Sequence, residues 1–235
     1  MPSSAFRFKQ FTIHQDRCAL KVGTDAVVFG AWVNYGGARR ILDIGTGTGV
    51  LALIAAQRNP SALVHAVEID DDSAAQAAEN AAASSWADRI RVHRMDVRRM
   101  KSDAPFDLIL CNPPYYSGTA PASEERGRVA KHGAELAFEE LLGAVERLLA
   151  AEGRFSVIIP SDREAGFVSL SESHGLFPSR RCLLRYVAHR PPKRVLLELR
   201  RERMACEEEE LTVEGEGPKS FTPEARALVA DLLDR

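Results

Sequence analysis

The chain has 235 residues, 45% of them hydrophobic, and its 31 lysines and arginines against 33 aspartates and glutamates give a formal net charge of -2. This length fits one domain, since single cores commonly stop growing near about 250 to 300 residues, and a high apolar content with a small net charge excludes intrinsic disorder. The near-neutral balance also argues against a protein that coats nucleic acids non-specifically through its net charge.

The sequence carries no signal for membrane insertion or for a metal site. No apolar run approaches the about 20 residues that a bilayer-spanning helix needs, and the opening MPSSAFRFKQF lacks the apolar region of a signal peptide. The four cysteines are widely spaced and form no C-x-x-C pair; they are Cys18, Cys111, Cys182 and Cys206. We therefore expect a soluble, cytoplasmic protein with reduced thiols and no bound metal.

From residue 40 onward, short apolar runs alternate with amphipathic segments, a pattern typical of parallel strands connected by crossover helices. The predicted strands are residues 40–44, 63–69, 90–95, 107–111 and 153–160, and the predicted helices are residues 50–58, 73–84 and 135–151. Two further apolar runs, residues 182–187 and 194–200, follow without an obvious long helix between them. We expect them to form an antiparallel hairpin that closes the sheet of an α/β fold.

A glycine-rich turn follows the first predicted strand. The spacing Gly45-x-Gly47-x-Gly49, after the acidic Asp43, places free backbone N–H groups at a helix start, where they can bind an anionic group. No Gly-Lys-Ser/Thr follows, which excludes a P-loop, and Val50 stands where a dinucleotide fingerprint requires its third glycine. The spacing resembles the S-adenosylmethionine loop of class I methyltransferases, whereas a tight strand–helix turn without a ligand would use the same glycines.

Two acidic residues end the next two predicted strands. At Glu68, a carboxylate can accept hydrogen bonds from both hydroxyls of a ribose, and it argues against a 2′-phosphate at that place. Asp96 lies within reach of an adenine amino group if the two strands are neighbours. Each residue alone could be an exposed acid at a strand end. Together with the glycine turn, they favour a bound ligand.

The fourth predicted strand ends in Asn112-Pro113-Pro114-Tyr115. Two successive prolines cannot continue a central strand, so the chain must leave the sheet here, at the carboxyl edge beside the glycine turn. The Asn112 carboxamide oxygen and the Pro113 carbonyl can accept the two N–H bonds of a planar amino group and direct its lone pair towards a sulfonium methyl group. Tyr115 can stack on a flat substrate. The motif suits adenine N6 and glutamine amides alike, and a plain Pro-Pro turn is the alternative without function.

Basic residues are concentrated in two parts of the chain. Residues 180–203 contain nine lysines and arginines against two glutamates, and six glutamates among residues 207–216 cancel most of this excess. The polar segment 118–133, which we interpret as a surface loop, carries a second basic group. Candidate contacts to the phosphates of a bound ligand on the two segments are Arg126, Arg128, Lys131, Arg190, Lys193 and Arg194, and these would contact RNA if the substrate is a tRNA, as the resemblance given below implies. Solvated surface charges are the alternative for each of them. The glutamates at 207–210 are most simply interpreted as a solvated charge run.

The sequence also resembles a known family. Residues 8–32, which read FKQFTIHQDRCALKVGTDAVVFGAW, are similar to the opening of the bacterial tRNA adenine-N6 methyltransferases that modify adenine 37 of a valine tRNA. So are residues 41–49, 66–69 and 107–116 and the helix around Asn80 and Trp86. The resemblance covers roughly the first 160 residues and continues more loosely to the end. It departs at the C-terminus, where the family leads us to expect an aromatic ending, and in the segment 118–133.

The resemblance implies a Rossmann-like class I methyltransferase that uses S-adenosylmethionine and acts on a valine tRNA. Its fold would be a seven-stranded, mostly parallel sheet with an antiparallel last strand and helices on both faces. One domain would span residues 1–235, with 1–36 covering the cofactor, 37–200 forming the core and 201–235 forming an acidic, helical tail. We expect this domain to act as a monomer.

The resemblance also assigns residues to roles. The implied cofactor-binding residues are Lys21, Gly23, Thr24, Asp25, Asp43, Gly45, Gly47, Gly49, Glu68 and Asp96, and the target adenine would lie against Asn112, Pro113, Pro114 and Tyr115. Without the family, residues 21–25 predict a turn before an apolar helix. Two other functions stay open: glutamine-amide methylation of a translation protein, which usually involves a separate helical substrate domain, and cofactor binding without activity in an RNA-associated protein.

Overall fold

A computed structural model describes residues 5–18, 20–113, 137–215 and 220–234 of the chain. The helices are α1 (Thr24–Trp32), α2 (Val50–Arg58), α3 (Asp71–Ala82), α4 (Phe138–Leu148), α5 (Glu164–Ser173) and α6 (Pro223–Leu228), with short 3-10 turns at Val97–Arg99 and Ser161–Arg163. The strands are β1 (Ala5–Arg7), β2 (Thr12–His14), β3 (Arg40–Ile44), β4 (Leu63–Glu68), β5 (Ile90–Arg94), β6 (Phe106–Cys111), β7 (Leu149–Pro160), β8 (Phe177–Val187), β9 (Arg194–Arg200) and β10 (Glu207–Glu214).

One twisted sheet organises the fold, with the strand order β10-β8-β9-β7-β6-β3-β4-β5. Strand β9 runs antiparallel to both of its neighbours, and the other pairings in this sheet are parallel. The predicted α/β class, the mostly parallel sheet and the antiparallel hairpin of β8 and β9 are therefore confirmed. The sheet has eight strands rather than seven, because β10 adds to the edge of β8.

Hydrophobic side chains cover both faces of this sheet. On one face, α1, α2 and α6 bury residues such as Phe29 and Ile54 against the strands. On the other, α4 and α5 contribute Leu141 and Phe167 to a second cluster. The central strand β6 is buried on both sides, which explains why its sequence is a continuous apolar run rather than an alternating one.

The N-terminal hairpin of β1 and β2 packs onto the first of these faces. The rings of Phe8 and Phe11 stack with their centroids 4.3 Å apart, and Trp86 meets Phe11 edge-on at 5.7 Å. Lys9 N donates a hydrogen bond to the carbonyl of Leu232 at 2.9 Å. Residues near the two ends of the described chain therefore meet beside α2 and α3.

Four elements differ from the prediction. Strands β1 and β2 have three residues each, which is too short for a recognisable alternation. Helix α5 buries only Phe167 and Ser171, so its sequence lacks a clear apolar stripe. The tail was predicted to be helical, and this prediction is wrong for its acidic part. The glutamates at 207–210 are exposed, as expected, but they form the first half of β10.

Candidate active site

The strand register places the predicted site residues along one edge of the sheet. Strands β6 and β4 pair with β3 on either side, and Asn112, Gly45 and Glu68 directly follow the last residues through which β6, β3 and β4 form these pairs. Strand β5 pairs with β4 through Arg94 opposite Glu68, and Asp96 follows two residues later. Because neighbouring strands lie about 4.8 Å apart, these four positions fall within about 15 Å. The strands that lead to Glu68 and Asp96 are neighbours, as the adenine contact requires.

The glycine turn uses left-handed backbone conformations that favour glycine. The φ angles are +67° at Gly45, +54° at Gly47 and +84° at Gly49. A Cβ added at Gly45 or Gly47 would meet no heavy atom within 4 Å, whereas one at Gly49 would lie 3.4 Å from the Cβ of Ala77 in α3. The first two glycines therefore leave a cradle of bare backbone at the start of α2, which fits an anionic group, and the third permits close packing of α3.

Asp43 lies beneath this turn rather than in the cradle. The side chain is fully buried, and the hydroxyl of Thr46 donates a hydrogen bond to its carboxylate at 2.5 Å. Burial raises the pKa of Asp43 to about 7; the Thr46 hydrogen bond opposes this rise, and the negative charge of Glu68 adds to it. The geometry therefore favours a positioning role for Asp43, which supports the turn from below, over the predicted contact with a ligand.

Glu68 joins the glycine turn to the start of α3. Its Oε2 accepts a hydrogen bond from Gly47 N at 2.9 Å, and its Oε1 accepts from Ile69 N at 2.9 Å and Asp70 N at 3.0 Å. A carboxylate has about four lone-pair sites, so these three bonds leave acceptor capacity. The half-buried side chain is thus fixed at the centre of the edge and suits the predicted ribose hydroxyls.

Asp96 is held by an arginine close to it in sequence. It caps the 3-10 turn by accepting from Arg98 N at 2.9 Å, and the Arg98 guanidinium Nε contacts both of its oxygens at 2.9 and 2.8 Å. The hydrogen bonds and charge of Arg98 lower the pKa of Asp96. Arg98 also donates to Glu140 of α4 at 2.7 Å. The carboxylate is therefore ionised and oriented, and it is tied to the helix that covers the other face.

The residues predicted to cover the cofactor lie at the start of α1. Gly23 is the N-cap of this helix, and Lys21 and Thr24 are exposed beside it. Asp25 forms an ion pair with Arg194 of β9, whose Nε donates to Asp25 Oδ2 at 2.9 Å. Asp25 was predicted to contact the cofactor and Arg194 to contact RNA. The structure joins the two residues, so the pair anchors α1 to the sheet edge, and both roles stay predictions.

Asn80 has a role at the site that the sequence analysis missed, although it lies in the helix that carries the resemblance. This residue of α3 is 2% exposed. Its carboxamide accepts from His14 N at 2.9 Å and donates to the carbonyls of His14 at 2.8 Å and Thr48 at 2.9 Å. Asn80 therefore joins the N-terminal segment to the glycine turn. A polar residue on the buried face of an Ala-rich helix was the signal that could have identified it.

The structure describes only part of the segment 112–115, which we call the Asn112 corner. Asn112 is half-buried and Pro113 is buried, while Pro114 and Tyr115 lie outside the described residues. Among the described residues, no partner holds the Asn112 carboxamide by a hydrogen bond. The neighbouring Cys111 is 1% exposed, and burial raises the pKa of its thiol well above the usual value, which excludes it as a nucleophile.

Ion pairs divide the basic residues of the segment 180–203 into two groups. Six of its nine basic residues pair with carboxylates, namely Arg180, Arg181, Arg185, Arg194, Arg200 and Arg203. Arg190 and Lys193 form no ion pair with the part of the chain that is described, and both are exposed in the turn between β8 and β9. Since β9 begins opposite Pro160 at the end of β7, this turn lies at the same edge as Asn112. The other predicted RNA contacts, Arg126, Arg128 and Lys131, lie outside the described residues.

Neither a membrane-spanning helix nor a metal-binding cluster occurs among the described residues. No helix there is both long and apolar enough to cross a membrane. No group of three or more histidine, cysteine, aspartate or glutamate side chains within those residues is arranged to hold a metal ion.

Comparison with known proteins gives concordant matches. The domain family described as "Methyltransferase small domain" matches residues 23–166. A tRNA1(Val) (adenine(37)-N6)-methyltransferase from Phocaeicola vulgatus is 44% identical over 214 residues, covering 91% of each chain. One of the same name from Tolumonas auensis is 42% identical over 236 residues, covering 100% of this chain and 99% of the relative.

Solved structures agree on the fold alone, because their sequences are distant. A protein from Agrobacterium tumefaciens, described as a predicted O-methyltransferase, has a TM-score of 0.65 at 22% identity and covers 88% of this chain and 95% of its own. A ribosomal protein L11 methylase from Lactobacillus delbrueckii has a TM-score of 0.54 at 19% identity, covering 77% of this chain and 78% of its own.

Proposed function

The chain belongs to the family of tRNA1(Val) (adenine(37)-N6)-methyltransferases, and we propose that it transfers a methyl group from S-adenosylmethionine to N6 of adenine 37 in a valine tRNA. One observation carries the proposal: Gly45, at the end of β3, and Asn112, at the end of β6, follow paired positions of neighbouring strands. A cradle suited to the cofactor and a corner suited to an amino group thus lie about 5 Å apart.

The residues at the edge fit S-adenosylmethionine, which when bound supplies a methyl group activated on a sulfonium. The bare backbone at Gly45 and Gly47 and the positive end of α2 would hold the methionine carboxylate. Glu68 would accept the ribose hydroxyls, and Asp96 would accept the adenine amino group. Asp43 and Asn80 support these residues from the protein side.

The Asn112 corner would hold the amino group that is methylated. The carboxamide oxygen of Asn112 and the carbonyl of Pro113 accept its two N–H bonds, which directs the nitrogen lone pair towards the methyl group. The reaction needs no strong general base, because the nitrogen is acidic enough to lose a proton once it has been methylated. Rate acceleration would come from in-line positioning and from dipoles that are already oriented.

The tRNA would approach the same edge through its phosphates. Arg190 and Lys193 are exposed there and are not neutralised by described carboxylates, so they suit phosphate contacts. Arg126, Arg128 and Lys131 belong to the proposal on their sequence alone. An anticodon-loop adenine is weakly stacked, so extruding it costs less than flipping a base out of a duplex. With tRNA as substrate, we propose a cytoplasmic site of action, and a monomer as the active form.

Methyl transfer from labelled S-adenosylmethionine tests the proposal. The protein is incubated with total tRNA, with a protein extract and with DNA, and the label in each fraction is counted. We expect the label in tRNA, and as N6-methyladenosine after digestion to nucleosides. Label in protein would favour glutamine-amide methylation instead. Cofactor binding without any transfer would favour a protein that binds RNA without modifying it.

A further inference from the structure

Strand β8 carries arginines and its neighbour β10 carries glutamates, and this arrangement bears on how the proposed enzyme would bind RNA. Strand β8 carries Arg180 on the face of the sheet that α1 covers, where the guanidinium stacks over Trp32, and Arg181 and Arg185 on the face that α5 covers. We call these three residues the basic strip. Phosphates bound at Arg180 or Arg181 would be held away from the active-site edge, because a strand rises about 3.3 Å per residue and these two residues lie seven and six residues before the end of β8. An RNA bound there would be about 20 Å from that edge, whereas Arg185 lies about 7 Å from it.

Strand β10 neutralises the strip residue by residue. It pairs with β8 in parallel register, with Glu207 opposite Arg180 and Glu208 opposite Arg181. The resulting ion pairs join Arg180 to Glu207 and Glu209, at 3.9 and 2.9 Å, and Arg181 to Glu208 at 3.8 Å. The flank therefore presents acidic side chains to the solvent rather than basic ones.

The pairing continues to the end of the strip and stops before the turn. Arg185 pairs with Glu210, and Arg181 has a second partner in Glu164 of α5 at 2.5 Å. Beyond them, Arg190 and Lys193 have no carboxylate partner among the described residues. Four glutamates on β10 and one on α5 thus face three arginines on the flank, while the turn at the active-site edge keeps its positive charge.

We propose that β10 is an acidic guard strand, which excludes the tRNA backbone from the flank of the sheet and confines RNA phosphates to the edge where the adenine is methylated. This inference rests on the proposed function. It explains why a protein that binds RNA adds a run of four glutamates directly beside a run of arginines. Its effect would be on the choice of RNA and on the binding mode, with cofactor binding and the chemical step unchanged.

The test replaces the four β10 glutamates by glutamine, as the variant E207Q/E208Q/E209Q/E210Q. The measured quantity is the affinity for a tRNA that is not methylated, as a function of salt concentration. Each phosphate contact changes the slope of log K against log salt by about -0.7 to -0.9. The variant releases Arg180 and Arg185, while Arg181 keeps its pair with Glu164. We therefore expect the slope to become more negative by about 1.5 and the affinity for this tRNA at 0.1 M salt to rise at least about tenfold.

A matched control separates the guard strand from net charge. The variant D88N/E152Q/E202Q/E224Q removes the same four charges at exposed positions that form no ion pair with described residues. It should leave the slope almost unchanged. Adding R180Q/R181Q/R185Q to the β10 variant should restore the slope of the unmodified protein. Thermal unfolding and cofactor affinity are measured for every variant.

The outcomes are distinct. Equal slopes in the β10 variant and the control would refute the guard strand and leave the proposed function standing. Absence of tRNA methylation by the unmodified protein would refute the proposed function itself. If the fourfold β10 variant fails to fold, E208Q/E210Q releases Arg185 and one contact of Arg181, and a slope change of about 1 is then expected. No change in that variant would overturn the inference.

Discussion

Replacing Asn80 with alanine tests whether the N-terminal segment is held against the glycine turn. The side chain makes three hydrogen bonds, two with the backbone of His14 and one with the carbonyl of Thr48. Since Asn80 is 2% exposed, alanine leaves these groups without their partner. At about 1 kcal/mol for each bond, we expect Asn80→Ala to lower the free energy of unfolding by ~3 kcal/mol.

Cofactor binding should weaken in the same variant, because the glycine turn and the segment before α1 lose their common support. If about half of this lost free energy is also lost from cofactor binding, the Kd for S-adenosylmethionine rises about tenfold. Urea unfolding followed by circular dichroism measures the first effect, and titration calorimetry measures the second. Asn80→Asp, which keeps the acceptor for His14 N, should fall between alanine and the unmodified protein.

Asn34 provides the matched control for this substitution. It is an exposed asparagine whose side chain accepts one hydrogen bond, from Gly36 N at 2.9 Å. We expect Asn34→Ala to change the free energy of unfolding by less than about 1 kcal/mol and the cofactor Kd not at all. A loss below about 1 kcal/mol in Asn80→Ala, or an unchanged Kd, would refute the reasoning.

Four further predictions follow from the site. Asn112→Ala should lower kcat about 100-fold or more in single-turnover assays while the cofactor Kd stays within a few fold; retained activity would contradict the amino-acceptor role. Gly47→Ala should cost about 1 kcal/mol, from its φ of +54°, yet weaken cofactor binding more than this because the new methyl group enters the open cradle. Burial raises the pKa of Asp43 from 3.8 to about 7 in the folded state, so the protein should lose at most ~4 kcal/mol of stability as the pH rises from about 4 to about 7. Asp43→Asn should remove this pH dependence of the free energy of unfolding, measured by urea titrations at several pH values. Arg190→Gln with Lys193→Gln should reduce the salt slope of tRNA binding by about 1.5, and an unchanged slope would exclude the turn as a phosphate contact.

Features encoded within a few residues could be predicted from the sequence. The glycine turn depends on backbone conformations at Gly45, Gly47 and Gly49, and its position between β3 and α2 follows from the adjoining apolar runs. The edge positions of Glu68 and Asn112 follow from the same reasoning, since the carboxyl ends of parallel strands meet at one edge.

Features that depend on distant partners could not be predicted. Asp25 and Arg194 are 169 residues apart, and no local sequence pattern indicates that they form an ion pair. Asn80 contacts a residue 66 positions away. The acidic run of β10 has no strand pattern, because four successive glutamates show no alternation; it becomes a strand by pairing with the arginines of β8.

Methylation of a valine tRNA transcript, with the position mapped by mass spectrometry, tests the central claim most directly. With adenine at position 37, we predict close to one methyl group per tRNA at N6 of that adenine. A transcript with guanine at position 37 should accept none, and Asn112→Ala should modify neither transcript. Equal methylation of both transcripts, or a methyl group on any other base, would contradict the account.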